Sequence, residues 1–100
     1  MGDGTMWDRN GLHVWAELRP DGSLVIQGQD LSSGPLGASE YEYGITVQPA
    51  DVPRVVEALG GPVGADVVGL LVANGEAIVH AGELTWIKSL GITPEFFSPS

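Results

Sequence analysis

The sequence predicts an α+β fold: a two-layer arrangement in which an antiparallel sheet of three to four strands carries two or three helices on one face. Three observations predict it. A Pro-Asp-Gly turn joins two alternating runs between Leu12 and Gln29, a further alternating run spans Glu40 to Val47, and an apolar stripe with helical spacing starts at Val52.

The hairpin follows from its turn. In Arg19-Pro20-Asp21-Gly22, proline already holds the φ that the first central position of a type I turn requires. Asp21 suits the second position, and Gly22 tolerates the left-handed conformation that comes next. Such a turn closes a three-residue hairpin loop. Arg19 then faces Ser23, with Leu18 opposite Leu24, Ala16 opposite Ile26 and Val14 opposite Gly28. Side chains alternate along a strand, so these residues and Leu12 share an apolar face. His13, Trp15, Glu17, Val25, Gln27 and Gln29 share the other face, which is mostly polar. A slip of one residue would exchange the two faces, so turn chemistry and alternation specify the same pairing.

The other elements follow in order. Met1 to Gly11 is polar and without period, and reads as a flexible lead-in with Trp7 its only large anchor; the single α+β domain then spans 12–100. Residues 30–39 are rich in Gly, Pro and Ser and form a loop, long for a hairpin connection. In the third strand Tyr41, Tyr43, Ile45 and Val47 point one way and Glu40, Glu42, Gly44 and Thr46 the other. Asp51 is placed to cap a helix, Pro53 fits its first turn, and Val52, Val55, Val56 and Leu59 form one stripe, with Gly60 as the stop. Asp66 is placed to cap a second helix, Val67 to Asn74, whose apolar circumference predicts deep burial, with a strand as the alternative because of its β-branched valines. Gly75 to Gly82 either continues that helix through a kink or forms a separate turn, and helix or strand stays open there. Glu83 to Leu90 predicts a helix with Leu84, Ile87 and Leu90 on one side and Gly91 as its stop. Ile92 to Ser98 predicts a closing strand that docks at least one of Phe96 and Phe97.

Composition narrows the function. One hundred residues, 43% of them apolar, suit one modest core. Thirteen acids against four bases leave a formal charge of −9. That charge disfavours nucleic acid, which selects a basic footprint, and an anionic membrane surface. It serves solubility first, and it also suits a basic protein partner or mimicry of nucleic-acid charge. The absence of cysteine excludes disulfides and thiolate chemistry. No signal peptide is visible and no apolar run approaches the length of a membrane span, so a cytoplasmic location is expected.

Motifs for chemistry are sparse. No phosphate loop, dinucleotide fingerprint or nucleophile elbow is present, and no cofactor is implied. His13 and His80 stand alone, without the partner ligands a metal site needs. Glu40 and Glu42, with Glu17 in reach, are the one carboxylate cluster that could do acid–base work, but nothing buries them and a solvated acidic face is the stronger reading. Trp15 is the exception: a tryptophan on an open sheet face is either covered by a neighbouring segment or is a binding anchor. The candidate partner-binding residues are therefore Trp15, His13, Glu17, Gln27, Gln29, Glu42 and Thr46, which the register collects on one face.

The run Asp21-Gly22-Ser23-Leu24-Val25-Ile26-Gln27-Gly28-Gln29-Asp30-Leu31, then Glu40-Tyr41-Glu42-Tyr43 and Asp51-Val52-Pro53, resembles a family of small uncharacterised bacterial proteins, notably actinobacterial. Some relatives look like immunity proteins of toxin–immunity systems. The resemblance covers most of the chain and lies in structural motifs, none of them catalytic. It implies a small acidic protein-binding module that neutralises a basic partner. A self-associating accessory domain, able to form homo-oligomers, is the alternative. A small enzyme or metal protein using His13 and nearby acids is a third.

Overall fold

Ten elements follow one another along the chain in a computed structural model, which describes residues 4–9, 11–30, 41–62 and 64–97. Strands β1 (Thr5–Arg9), β2 (Leu12–Leu18), β3 (Leu24–Asp30) and β4 (Tyr41–Val47) come first. A 3-10 turn (Pro49–Asp51) leads into α1 (Val52–Ala58), α2 (Val67–Ala73), α3 (Gly75–Ala81) and α4 (Glu83–Ser89), and β5 (Glu95–Phe97) closes the chain. The strands form one antiparallel sheet in the order β1-β2-β3-β4-β5. The α+β class holds, with five strands and four short helices among the described residues instead of three to four and two or three.

The hairpin has the expected register: Leu18 pairs with Leu24, Ala16 with Ile26 and Val14 with Gly28. The Arg19 N–H donates to the Ser23 carbonyl at 2.8 Å, the Gly22 N–H donates to the Arg19 carbonyl at 2.9 Å, and Gly22 has φ +92°. Ser23 completes the turn, its N–H and Oγ both donating to Asp21 Oδ1, at 2.9 and 2.6 Å. These bonds favour the charged carboxylate, the hydroxyl most, and hold Asp21 below the ordinary aspartate range, with Arg19 adding attraction.

The core lies between the apolar sheet face and the helices. Val14, Leu24, Ile26, Ile45 and Val47 are inaccessible to solvent on the sheet side. Each helix sends at least one deeply buried residue to meet them: Val55 from α1, Leu71 from α2, Ile78 from α3 and Ile87 from α4. Burying an aliphatic side chain of this size contributes about 1.5–3 kcal/mol, so these contacts are the main reason such short helices persist.

Several expectations are corrected. Met1 to Gly11 contains a strand: Thr5–Arg9 pairs antiparallel with β2, with a register shift between Thr5 and Trp7. That shift turns both Met6, 6% exposed, and the partly buried Trp7 toward the core. Asp51 and Asp66 precede their helices as expected, but neither side chain makes a capping hydrogen bond. The 3-10 turn runs directly into α1, so Asp51 already has helical backbone angles, φ −99° and ψ −9°. The second helix is not buried all round: Val67 and Leu71 are buried, and Val72 is 36% exposed. Gly75 to Ala81 is a separate helix, bounded by Asn74 and by Gly82 at φ +91° and ψ +116°, both outside helical geometry. Leu18, expected on the apolar face, is 49% exposed at the end of β2. The loop read over 30–39 lies outside the described residues beyond Asp30, as does Glu40.

Two glycine–aromatic pairs shape the sheet. Gly28 faces Tyr43 across β3 and β4, and Gly44 faces Phe97 across β4 and β5. A Cβ at either glycine would overlap the partner's ring. The rings therefore sit over the glycines, covering backbone that a larger residue would cover with its own side chain. Tyr43 then reaches α4, where its hydroxyl donates to the buried Glu83 carboxylate.

Candidate functional site

All seven residues expected at a binding surface lie on the sheet face opposite the helices. The strand pairings arrange that face in three rows. The first is Asp8, His13, Gln29 and Glu42; the second is Thr5, Trp15, Gln27, Gly44 and Phe97; the third is Glu17, Val25, Thr46 and Glu95. Thus each row crosses at least four strands, and β1 and β5 extend the surface that β2, β3 and β4 begin.

The rows bring together some of the expected groups and separate others. His13 and Trp15 touch, their ring centroids 4.9 Å apart and tilted by 39°. His13 Nδ1 lies 3.5 Å from Asp8 Oδ1, an ion pair when the imidazole is protonated. The Gln29 amide donates to Glu42 Oε2 at 3.2 Å, linking β3 to β4. Glu17 is not beside Glu42: the first sits in the third row and the second in the first row, with β3 between them. The carboxylate pairing that acid–base chemistry would need is therefore not formed by these two. Val25, read as part of an open polar face, is only 1% exposed and stands outside the main core cluster.

Asp8, Thr5, Glu95 and Phe97 belong to the face and were not anticipated. The first two come from a strand whose register shift hides its alternation. The last two arrive with β5, whose partner in sequence is far away. A signal for Phe97 did exist: a glycine in mid-strand leaves a gap on the face its side chain would occupy, and an unplaced aromatic is the natural filler.

Charge on the face has one sign. Asp8, Glu17, Glu42 and Glu95 contribute four carboxylates to the three rows, which contain no lysine or arginine. Between Trp15 and Phe97 lies a shallow cavity of about 230 Å³, bordered also by Gln27, Gln29 and Glu42. Phe97, which remains 43% exposed, leaves much of its ring available.

No protein-family model, curated protein or solved structure is matched by this chain. Among the described residues, no three His, Asp or Glu side chains converge on a point that could hold a metal ion. No described helix is long and apolar enough to cross a membrane. A separate apolar cleft of about 400 Å³ runs beside α1, lined by Val52, Val56, Gly61 and Ala65 with Arg54 and Glu57, and none of the seven expected residues reaches it. His80 sits on the helix side, largely exposed, edge-on to Trp7 at 5.4 Å and 3.8 Å from Glu76.

The sheet face presents a mixed set of contact groups. It offers aromatic area from Trp15 and Phe97, amides from Gln27 and Gln29, and a field of one sign. Rigid strands hold these groups, so little conformational freedom is lost when a partner meets them.

Proposed function

We propose that this chain is a non-catalytic binding module of the cytoplasm whose open sheet face receives a basic protein, in the manner of an immunity protein neutralising its toxin. The observation that carries the reading is the three-row face itself: four carboxylates, no lysine or arginine, and two part-exposed aromatics in one row. A surface of one sign attracts a basic partner during encounter and repels acidic competitors. Trp15 supplies contact area at low entropic cost, the usual property of a binding hot spot.

The test is binding to basic proteins encoded beside this gene, measured by titration calorimetry at low and high salt. The expected complex weakens as salt rises, because exposed charges are screened. Trp15→Ala should weaken it by about 2 kcal/mol or more, the scale of a hot-spot truncation. A complex indifferent to salt and to Trp15→Ala refutes the reading, and so does the absence of any basic binder. Self-association is favoured by one other observation: β5 is the terminal strand of the sheet and exposes Phe96 and Phe97 to 47% and 43%. A solution mass that rises with concentration, and stays monomeric in Phe96→Ser, would select that reading.

A further inference from the structure

We propose that the cavity between Trp15 and Phe97 receives a single arginine side chain of the partner, an assignment that rests on the acidic-face reading above. Size is the first argument. Small-molecule sites span about 300–1,000 Å³, and this cavity of about 230 Å³ falls below that range, nearer to one side chain than to a free ligand.

The second argument is the chemistry of the walls. Trp15 and Phe97 offer aromatic rings, Gln27 and Gln29 offer amide oxygens, and Glu42 offers a carboxylate steadied by the Gln29 amide at 3.2 Å. A guanidinium is planar, stacks on rings and forks onto carboxylates, and it sheds water more readily than an ammonium. Lysine matches the charge of this site but stacks less well on its aromatic rings. Gly44 is what leaves room: any side chain there would meet the Phe97 ring and displace that wall.

The third argument is a precedent within the molecule. On the helix side, the Arg9 guanidinium carbon lies 4.3 Å from the centroid of the Trp7 ring, and Arg9 Nη2 lies 4.0 Å from Glu76 Oε1. There a guanidinium lies over a tryptophan ring near a carboxylate, the same three kinds of group that the outward face would bring together with an arginine of the partner.

The experiment titrates isotope-labelled protein with an oligo-arginine peptide and with an oligo-lysine peptide of equal length at low salt. Amide spectra are recorded for the parent, Trp15→Leu, Phe97→Leu and Glu42→Gln. The arginine peptide should move the Trp15 indole N–H and the Gln27 and Gln29 side-chain amides. It should bind more tightly than the lysine peptide. Each leucine variant keeps apolar bulk but loses the ring face, and should lose about two- to fivefold in arginine affinity, the worth of one exposed cation–ring contact. Glu42→Gln should weaken both peptides and offers an arm independent of the aromatic packing. Equal binding of the two peptides to this face, or leucine variants that keep the full arginine preference, overturns the arginine site while leaving the acidic-face reading intact. Failure of both peptides to perturb the face overturns both.

Discussion

Replacing glycine by alanine inside a helix ordinarily stabilises a protein by about 0.5–1 kcal/mol, because alanine loses less backbone freedom on folding. Two helical glycines here should respond with opposite signs. Gly69 is exposed in α2, and a Cβ there would meet only the Asp66 side chain, with Oδ2 at 2.9 Å. That carboxylate can swing into solvent, so Gly69→Ala should gain about 0.5–1 kcal/mol. Gly75 is buried at the start of α3, and a Cβ there would overlap the Met6 carbonyl oxygen and lie 2.9 Å from both the Met6 carbonyl carbon and Cα. These are backbone atoms of β1, which cannot turn aside. Ordinary non-bonded contacts stay above about 3 Å, and the carbonyl oxygen is the closest atom, so α3 must retreat by roughly 1 Å. Overpacking of this kind costs about 1–3 kcal/mol, which exceeds the propensity gain. In a domain of this size that net loss lowers Tm by about 4–8 °C per kcal/mol. Urea unfolding followed by tryptophan fluorescence measures both variants. A Gly75→Ala midpoint at or above the parent's, with an unchanged slope, would refute the close approach of α3 to β1.

Three further outcomes are expected. Tyr43→Phe removes the hydroxyl that donates to the buried Glu83 carboxylate, and should cost about 1.5–3 kcal/mol, as for hydrogen bonds to charged groups; a neutral result by urea unfolding would dismiss that bond. Asp21 should titrate below an ordinary aspartate, chiefly through the Ser23 hydroxyl and then its N–H. Its folded value is below its unfolded one, so its contribution to stability is present above the unfolded value and lost as pH falls through the folded value. Ser23→Ala should move the Asp21 carboxyl resonance titration upward, and an unmoved curve would exclude the hydroxyl as cause. Trp15→Ala should unfold cooperatively with a slope like the parent's, since Trp15 faces away from the core; loss of the folded amide spectrum would place it in the core.

The parts of the fold legible in the sequence are those set by neighbours along the chain. Pro20, Asp21 and Gly22 specify a turn, the turn specifies a register, and the register places His13, Trp15, Gln27 and Gln29 on one face. The α1 stripe was legible for the same reason, with Val55 and Val56 buried as their spacing demands. Features that depend on distant partners were not. Thr5 to Arg9 shows no alternation because its register shift turns Met6 and Trp7 to the same side. Gly75 is a poor helix former whose place in α3 is explained by the β1 backbone against it. Phe97 completes the candidate cavity from a strand whose location depends on where four helices return the chain. One of that cavity's three aromatic residues, Trp15, Tyr43 and Phe97, was therefore invisible to local pattern.

The late arrival of β5 has a consequence for the order of assembly. Strands β2 and β3 close through a short turn, whereas β5 reaches β4 only after residues 48–94 have crossed the helical layer. Short closures cost less chain entropy and form sooner. The sheet is therefore expected to grow from the central hairpin outward, with Glu95–Phe97 joining last. Amide exchange should find these residues the least protected in the sheet. During synthesis, the chain would display Trp15 and the β2 and β4 carboxylates before Phe97 is made, so the row that runs from Thr5 to Phe97 would stay incomplete until Glu95–Phe97 joins β4.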